Sequence, residues 1–255
     1  DLTLHIRTGS GMPQLYSRQT GPKYLYTGLS NDEGTTSNSK WDYMNGWYNQ
    51  NSSQSTNTGQ VANMWKRAKG YMDVVSYKGN STQGQAVPHS LGVVPEMIWV
   101  KGRTVAENWL VLIPSIVAGD VGRLSLNETG IPETGTKHYF GNGTTYIAPT
   151  STHFTVSSGS AVNNSSHNYI SYLFATLAGI SKVGSYTGNG SSQTISCGFS
   201  AGSRFILIKR TDAAGNWYIW DSVRGIVAGN DPHKSLNSSA AHVTSDDSVD
   251  PANAG

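Results

Sequence analysis

The stretch VGSYTGNGSSQTISCGFSAGSRFILIKRTDAAGNWYIW, residues 183–220, decides the fold because a related stretch precedes it by about 109 residues. That earlier stretch, residues 74–112, reads VVSYKGNSTQGQAVPHSLGVVPEMIWVKGRTVAENWLVL. Tyr77 aligns with Tyr186 and, after a slip of one residue, Lys101 aligns with Lys209. Self-similarity at one fixed spacing is typical of structural units repeated in tandem.

A weaker third copy begins the chain. LHIRTGSG follows the outline of LIKRTDAA, so that Arg7-Thr8 aligns with Arg210-Thr211. We therefore divide the sequence into three parts: the later part of a divergent repeat with its junction (1–70), a complete repeat (71–180) and the first part of another repeat (181–255). The last part fits either a truncated repeat or a permuted arrangement.

The local pattern within each unit is that of β structure. PEMIWVKGRT and SRFILIKRTD are apolar, β-branched or aromatic runs that end in a basic residue and a polar turn, and NWLVLI or NWYIWD follows each as the second strand of a hairpin. Further strands are expected at 135–141, 145–150, 152–158 and 168–179, and a short helical turn at 60–70. The sequence predicts an all-β chain of tandem antiparallel β-sandwich repeats, jelly-roll or lectin-like, of about 108 residues each.

Composition limits the classes of partner. Charged residues make up 13% of the chain and the net charge is +2, so no strong field attracts nucleic acid or an anionic membrane. No apolar run approaches the roughly 18 residues that cross a bilayer. Cys197 is the only cysteine, which excludes an intrachain disulfide. Stability must come from packing or from association of subunits.

Two groups of aromatic residues are candidates for carbohydrate binding. Trp109 and Trp217 follow Asn at equivalent places in both units; each is either a platform for a sugar ring or a core residue that anchors the sandwich. The second group lies in WDYMNGWYNQN, residues 41–51, where aromatic faces alternate with amide side chains; its four aromatics are Trp41, Tyr43, Trp47 and Tyr48. That loop is either a contact for neutral glycans or an interface between repeats or subunits.

The acidic residues and the single thiol give weaker signals. Asp246, Asp247 and Asp250 could offer oxygen ligands to calcium, but their spacing is not that of a calcium loop, so we predict no metal site and no cofactor. The same carboxylates and those of Asp32-Glu33 could be considered as the acid–base pair of a glycosidase, but the sequence does not fix the distance between them. The second unit replaces His89 by Cys197 and Asp73 by Lys182, which argues against a nucleophilic triad of these two residues with a serine in the first unit. We expect a protein that is not an enzyme.

One stretch of the chain resembles a known family. The series SYTGNG, CGFSAG, ILIKRTD, WYIWD, RGI, GNDP and SLNS, within residues 182–251, is similar to the repeat domain of tail-fibre-like and structural virion proteins of marine bacteriophages, cyanophages among them. The resemblance covers most of 62–255 and is weaker over 1–60. It implies a protein of the virus particle and brings no catalytic residues with it.

The expected function follows from the repeat and the resemblance. We expect a non-enzymatic viral structural protein, a tail-fibre or baseplate-type component that adheres to host surface glycan or acts as a spacer. Its partners would be other copies of itself, in a trimer or another symmetric homo-oligomer, and other virion proteins. The alternatives are a head decoration or cell-surface lattice protein, and a phage glycan depolymerase.

Overall fold

The computed structural model describes residues 1–36, 39–41, 46–49 and 59–252, and these are nearly all β. The helix of this part, α1 (Ser160–Asn163), has four residues. The strands are β1 (Leu2–Arg7), β2 (Gln14–Ser17), β3 (Lys23–Tyr26), β4 (Gly34–Thr35), β5 (Ser39–Lys40), β6 (Tyr48–Asn49), β7 (Gln60–Trp65), β8 (Met72–Lys78), β9 (Gln85–Pro88), β10 (Met97–Gly102), β11 (Leu110–Leu112), β12 (Arg123–Ser125), β13 (His153–Val156), β14 (Asn168–Phe174), β15 (Phe205–Lys209), β16 (Trp217–Asp221) and β17 (His233–Ser235).

The strands pair antiparallel in several separate sheets. Two sheets have five strands, in the orders β4-β3-β2-β1-β7 and β12-β11-β10-β14-β8. A third has the order β15-β16-β17, and β13-β9 and β5-β6 are two-stranded. Each sheet draws its strands from a single one of the three sequence units. None of the described helices is long and apolar enough to cross a membrane.

Each of the three larger sheets contains the same three-stranded meander. The first meander is β1-β2-β3, the second is β10-β11-β12 and the third is β15-β16-β17. Val100 faces Leu110 in the second meander, and Ile208 faces Tyr218 at the equivalent place in the third. The predicted hairpins are therefore present, in the register that the alignment of Lys101 with Lys209 requires.

The strand that flanks each meander also repeats, in the first two units. β7 pairs with β1 as β14 pairs with β10, so the helical turn expected at 60–70 is wrong. The junction that follows is the same in both units, with Gly70 and Gly179 each at a φ of +73°. This left-handed conformation strains a residue with a side chain, which explains the aligned glycines.

Other expected strands are absent from the described residues. Residues 183–204 contain no strand, whereas their counterparts in the second unit contain β8 and β9. The physical reason is pairing: β8 bonds to β14 and β9 to β13, and the described residues after β17 supply no counterpart of either partner. The strand expected at 135–141 is also wrong, because that stretch holds a 3-10 turn at Thr136–His138, and 145–150 forms no strand.

Alternation along the strands divides the apolar side chains between two cores. One face of all three meanders contributes to a shared central core, which includes Leu4, Leu15, Trp99, Val111 and Ile219. The opposite face of the second meander packs against the β13-β9 pair in a second core, with Val100 and Phe154 among its members. Sharing of the central core joins the three units into one packed body.

Hydrogen bonds across the seams between meanders close a ring around the central core. The bonds between the second and first meanders have equivalents between the third and second meanders, made by aligned tryptophans and lysines. The bonds between the third and first meanders, which close the ring, are made by different residues. The tryptophan and threonine bonds are Trp109 Nε1 to Tyr26 O (2.8 Å), Trp217 Nε1 to Ser125 O (3.0 Å) and Thr27 Oγ1 to Leu236 O (2.6 Å). The lysine bonds are Lys101 Nζ to Ser30 O (3.0 Å), Lys209 Nζ to Thr129 O (3.1 Å) and Lys234 Nζ to Gly9 O (3.0 Å).

Candidate functional site

The two aligned tryptophans lie inside the protein. Trp109 is 0% exposed and Trp217 is 1% exposed, and each indole N–H donates to a carbonyl oxygen of the preceding meander. A sugar ring cannot stack on a face that the central core covers. Of the two interpretations offered by the sequence, this location supports the core residue and argues against a role in carbohydrate binding.

The aromatic loop 41–51 is placed only in part. Trp41 is buried, and Arg18 both donates to its backbone oxygen and lies over its ring, with Cζ 5.5 Å from the ring centre. Trp47 is half-buried and lies 6.5 Å from Trp41 between ring centres. Tyr43 lies outside the described residues, as does the side chain of Tyr48, whose backbone forms part of β6.

These two tryptophans belong to a larger cluster on the face of the first sheet that points away from the central core. Trp47 lies 5.2 Å from Tyr16, Tyr16 5.9 Å from Tyr24, and Tyr24 5.1 Å from Tyr26, between ring centres. We call this set the aromatic cluster; its members are His5, Tyr16, Tyr24, Tyr26, Trp41 and Trp47. The equivalent face of the second meander is aliphatic and is covered by β13-β9.

A pocket opens where this cluster meets the third meander. We call it the seam pocket; its volume is about 400 Å³ and it is lined by Arg7, Gly11, Met12, Gln14, Tyr26, Leu29 and Ser239. This volume lies within the usual range for sites of small ligands. Leu29 and Ser239 are exposed, so the pocket is accessible from solvent.

Backbone contacts hold the two walls of the seam pocket together. Gly11 N donates to Ser239 O at 2.7 Å and His242 N donates to Thr8 O at 2.8 Å. Gly28 allows this close approach, since a Cβ there would lie 2.9 Å from the backbone carbon of Asn237. The pocket is therefore a product of ring closure between the first and third meanders.

The lining combines three kinds of contact. Tyr26 contributes an aromatic ring, Gln14 an amide whose Oε1 already accepts from Tyr16 Oη at 2.9 Å, and Arg7 a guanidinium. In the aromatic cluster beside the lining, a hydrogen bond with Tyr26 raises the pKa of Tyr24, and burial lowers the pKa of His5. At neutral pH the phenol and the imidazole are thus uncharged. Such a surface can stack on the C–H face of a ring and hydrogen-bond to hydroxyl groups.

The acidic residues are placed apart from this pocket. Glu33 forms an ion pair with Arg103 of the second unit at 2.8 Å and another with Lys23 of its own unit at 3.2 Å. Asp246 Oδ2 lies 3.8 Å from His233 Nε2, and Asp247 and Asp250 are exposed. Within the described ranges, no group of three or more His, Cys, Asp or Glu side chains could hold a metal ion.

The residues considered for nucleophilic chemistry are engaged elsewhere. Asp73 pairs with Arg67 at 2.7 Å and accepts from Ser90 N, while His89 Nε2 lies 3.2 Å from Thr150 O. Cys197 is partly exposed in the strandless stretch 183–204. The structure therefore does not assemble the triad that the sequence analysis considered.

Arg7, Gln14 and Tyr26 were not among the residues predicted from the sequence. One signal was available: in KYLY, residues 23–26, alternation places both tyrosines on the face opposite Leu25, which is buried in the central core. Ring closure, which brings Ser239 beside Arg7, leaves no local signal in the sequence because these residues are far apart in the chain.

Comparisons with known proteins identify the family of the chain. No curated protein and no solved structure matches it. A family described as "Domain of unknown function (DUF7483)" matches residues 17–254, which is nearly the whole chain. The chain therefore belongs to the DUF7483 family.

Proposed function

We propose that this chain is a non-catalytic structural protein of a virus particle, of the tail-fibre or baseplate type, that adheres to surface glycan through the seam pocket. The observation that carries the adhesive role is the meeting of an aromatic ring, an amide and a guanidinium in one solvent-accessible pocket. Sugar rings need both a stacking face and hydrogen-bonding groups, and this lining offers both.

The aromatic cluster supports the same role. The line of ring contacts from Tyr26 through Tyr24 and Tyr16 reaches Trp47, so further rings lie beside the pocket. A glycan chain longer than one sugar would contact the partly exposed Tyr24 and Trp47; Tyr16, which is 0% exposed, would only support their rings. The interpretation of loop 41–51 as a glycan contact is kept, with Trp47 as its half-buried described member.

The fold supports a structural role, and we propose that it represents tandem β-sandwich repeats. The second unit comes closest to a full sandwich, since its five-stranded sheet faces the β13-β9 pair across the second core. The first and third units share its meander without that second layer among the described residues. Repetition of one module extends a surface by adding units of the same kind.

The placement in a virus particle rests on the resemblance of residues 62–255 to phage virion repeats. With it comes the proposal of a symmetric homo-oligomer, a trimer in a fibre, in which several weak sugar contacts act together. Light scattering of the purified chain would measure this state. If the chain is a monomer at all concentrations, the proposal of a homo-oligomer is wrong, and each molecule would bind glycan through its own seam pocket.

Binding of the assembled protein to a glycan array tests the adhesive role. Tyr26→Ala removes the ring of the pocket, and we expect at least about a tenfold loss of affinity, the cost of one stacking contact. Tyr186→Ala is the matched control, since Tyr186 is 49% exposed and lies in the strandless stretch 183–204. Circular dichroism of each variant checks that the fold is kept.

Three outcomes would each overturn part of the proposal. If the wild-type oligomer binds no glycan on the array, a spacer role replaces adhesion. If incubation with a bound polysaccharide releases reducing sugar, the protein is a depolymerase and the non-catalytic role is wrong. Equal losses in Tyr26→Ala and Tyr186→Ala would place the binding outside the seam pocket.

A further inference from the structure

Arg7 differs from its counterpart in the third meander by lacking a partner. Arg210, the aligned residue, forms two hydrogen bonds with Asp212, at 2.6 Å from Nε and 3.1 Å from Nη2. Gly9 stands in the first meander where Asp212 stands in the third, so the sequence RTG replaces RTD. Within the described part of the chain Arg7 forms no ion pair, and its side chain lines the seam pocket beside Gly11.

The protein behind this wall carries further positive charge. Lys234 is 2% exposed and its Nζ donates to Gly9 O and Ala240 O, at 3.0 and 2.7 Å, with no carboxylate paired to it among the described residues. Burial, together with the charges of Arg224 and Arg7, lowers the pKa of Lys234 to about 8, which still leaves it mostly charged at neutral pH. Arg224 is itself paired with Asp221 at 2.7 Å.

From this arrangement we infer that the seam pocket selects acidic sugars, and that Arg7 binds the anionic group of the ligand. The inference rests on the proposed glycan-binding function and specifies the class of glycan. A guanidinium presents a planar fork of N–H donors that matches a carboxylate, so a uronic acid fits this wall. Tyr26 then contacts the ring of the same sugar.

Calorimetric titration with an oligogalacturonide and with its carboxyl-reduced, neutral form tests the inference. We expect the wild-type protein to bind the acidic oligosaccharide about tenfold more tightly than the neutral one, since a charge-assisted hydrogen bond contributes roughly that factor. Arg7→Gln should abolish this preference, so that the acidic and the neutral oligosaccharide bind with equal affinity. Arg210→Gln is the matched control and should change neither affinity.

A second pair of variants tests Arg7 without removing it. Gly9→Asp restores the partner that Asp212 provides to Arg210, and it is sterically allowed because no atom lies within 4 Å of a Cβ at Gly9. We expect about a fivefold to tenfold loss of acidic-sugar binding in Gly9→Asp, because its carboxylate competes with that of the ligand. Gly9→Asn has the same shape without the charge and should stay within about twofold of wild type.

The outcomes separate this inference from the proposed function. Equal binding of acidic and neutral oligosaccharides that is lost in Tyr26→Ala would overturn the acidic preference and leave glycan adhesion standing. Binding of neither oligosaccharide, with no binding on the array, would overturn both. Equal losses in Gly9→Asp and Gly9→Asn would show that the loop acts by shape, which contradicts the role of Arg7.

Discussion

Lys101 is a single residue on which the ring of meanders depends. It is 0% exposed, and its Nζ donates to Ser30 O of the first unit and to two carbonyls of its own hairpin loop, those of Gly102 and Val105. Burial lowers its pKa to about 8, against 10.5 for the free side chain. The residue therefore carries its charge into the interior at neutral pH, at a cost in free energy.

The stability of the protein should rise with pH in the window set by Lys101. Below about pH 8 Lys101 is protonated in both the folded and the unfolded protein, so the free energy that its buried charge costs is constant. Between about pH 8 and 10.5 Lys101 is protonated in the unfolded protein and loses its proton in the folded protein, so the free energy of unfolding rises with pH. We expect up to about 1 kcal/mol per pH unit from this residue. Denaturant unfolding at about pH 8.5 and 9.5 measures this rise.

Comparison of two variants isolates the contribution of Lys101. Lys101→Met should reduce the slope of the unfolding free energy with pH, whatever its absolute stability, because the titrating group is gone. Lys78→Met removes an exposed lysine and should keep the wild-type slope. An unchanged slope in Lys101→Met would mean that this lysine keeps its ordinary pKa in the folded protein.

Strands in this fold depend on their neighbours more than on their own residues. Residues 74–78 and 183–187 read VVSYK and VGSYT, yet only the first stretch is a strand, because β14 lies beside it. β-Propensity measures packing in a sheet and weakens where no partner strand exists. At the scale of elements, the repeat in sequence is therefore broader than the repeat in structure.

Hydrogen exchange should separate these two stretches. We expect the amides of residues 183–187 to exchange at least about a hundredfold faster than those of β8, since only the latter bond to a neighbouring strand. Both stretches belong to one chain, so β8 serves as the internal control in mass-spectrometric exchange. Equal protection of the two would mean that another copy supplies the partner strand, and dilution would then remove it.

The molecule as a whole is held together by one central core. Leu15, Val111 and Ile219 occupy equivalent positions in the second strand of each meander, and all three belong to this core. No meander has a core of its own on this face. The three units should therefore unfold together, despite their separate sheets.

Truncation of one side chain in the third meander tests this cooperativity. Ile219→Ala should cost about 2–5 kcal/mol, as for other buried aliphatic residues, and should lower the protection of β1 and β10 as well as that of β16. Val223→Ala, at a residue that is 73% exposed, is the control and should have little effect. Loss of protection confined to β16 would show that the meanders unfold independently.

The sequence alone was sufficient for features that depend on local pattern. Apolar, β-branched and aromatic runs that end in polar turns predicted the β class and the hairpins β10-β11 and β15-β16, and the alignment of Lys101 with Lys209 predicted their common register. The resemblance to phage virion repeats, and the function it implies, stays a prediction. Failures occurred where neighbours decide: 60–65 is strand β7 because β1 pairs with it, and 135–141 is not a strand.

The residues of the seam pocket were not predicted from the sequence, for the same physical reason. The sequence analysis singled out Trp109 and Trp217 by their repetition, but repeated large apolar residues pack in the core that the units share. Arg7 and Ser239 come together only when the first and third meanders close the ring. Local pattern determined the strands, because side-chain alternation needs only a few residues; the tertiary structure decided the core, the ring and the pocket, because these are contacts between distant segments.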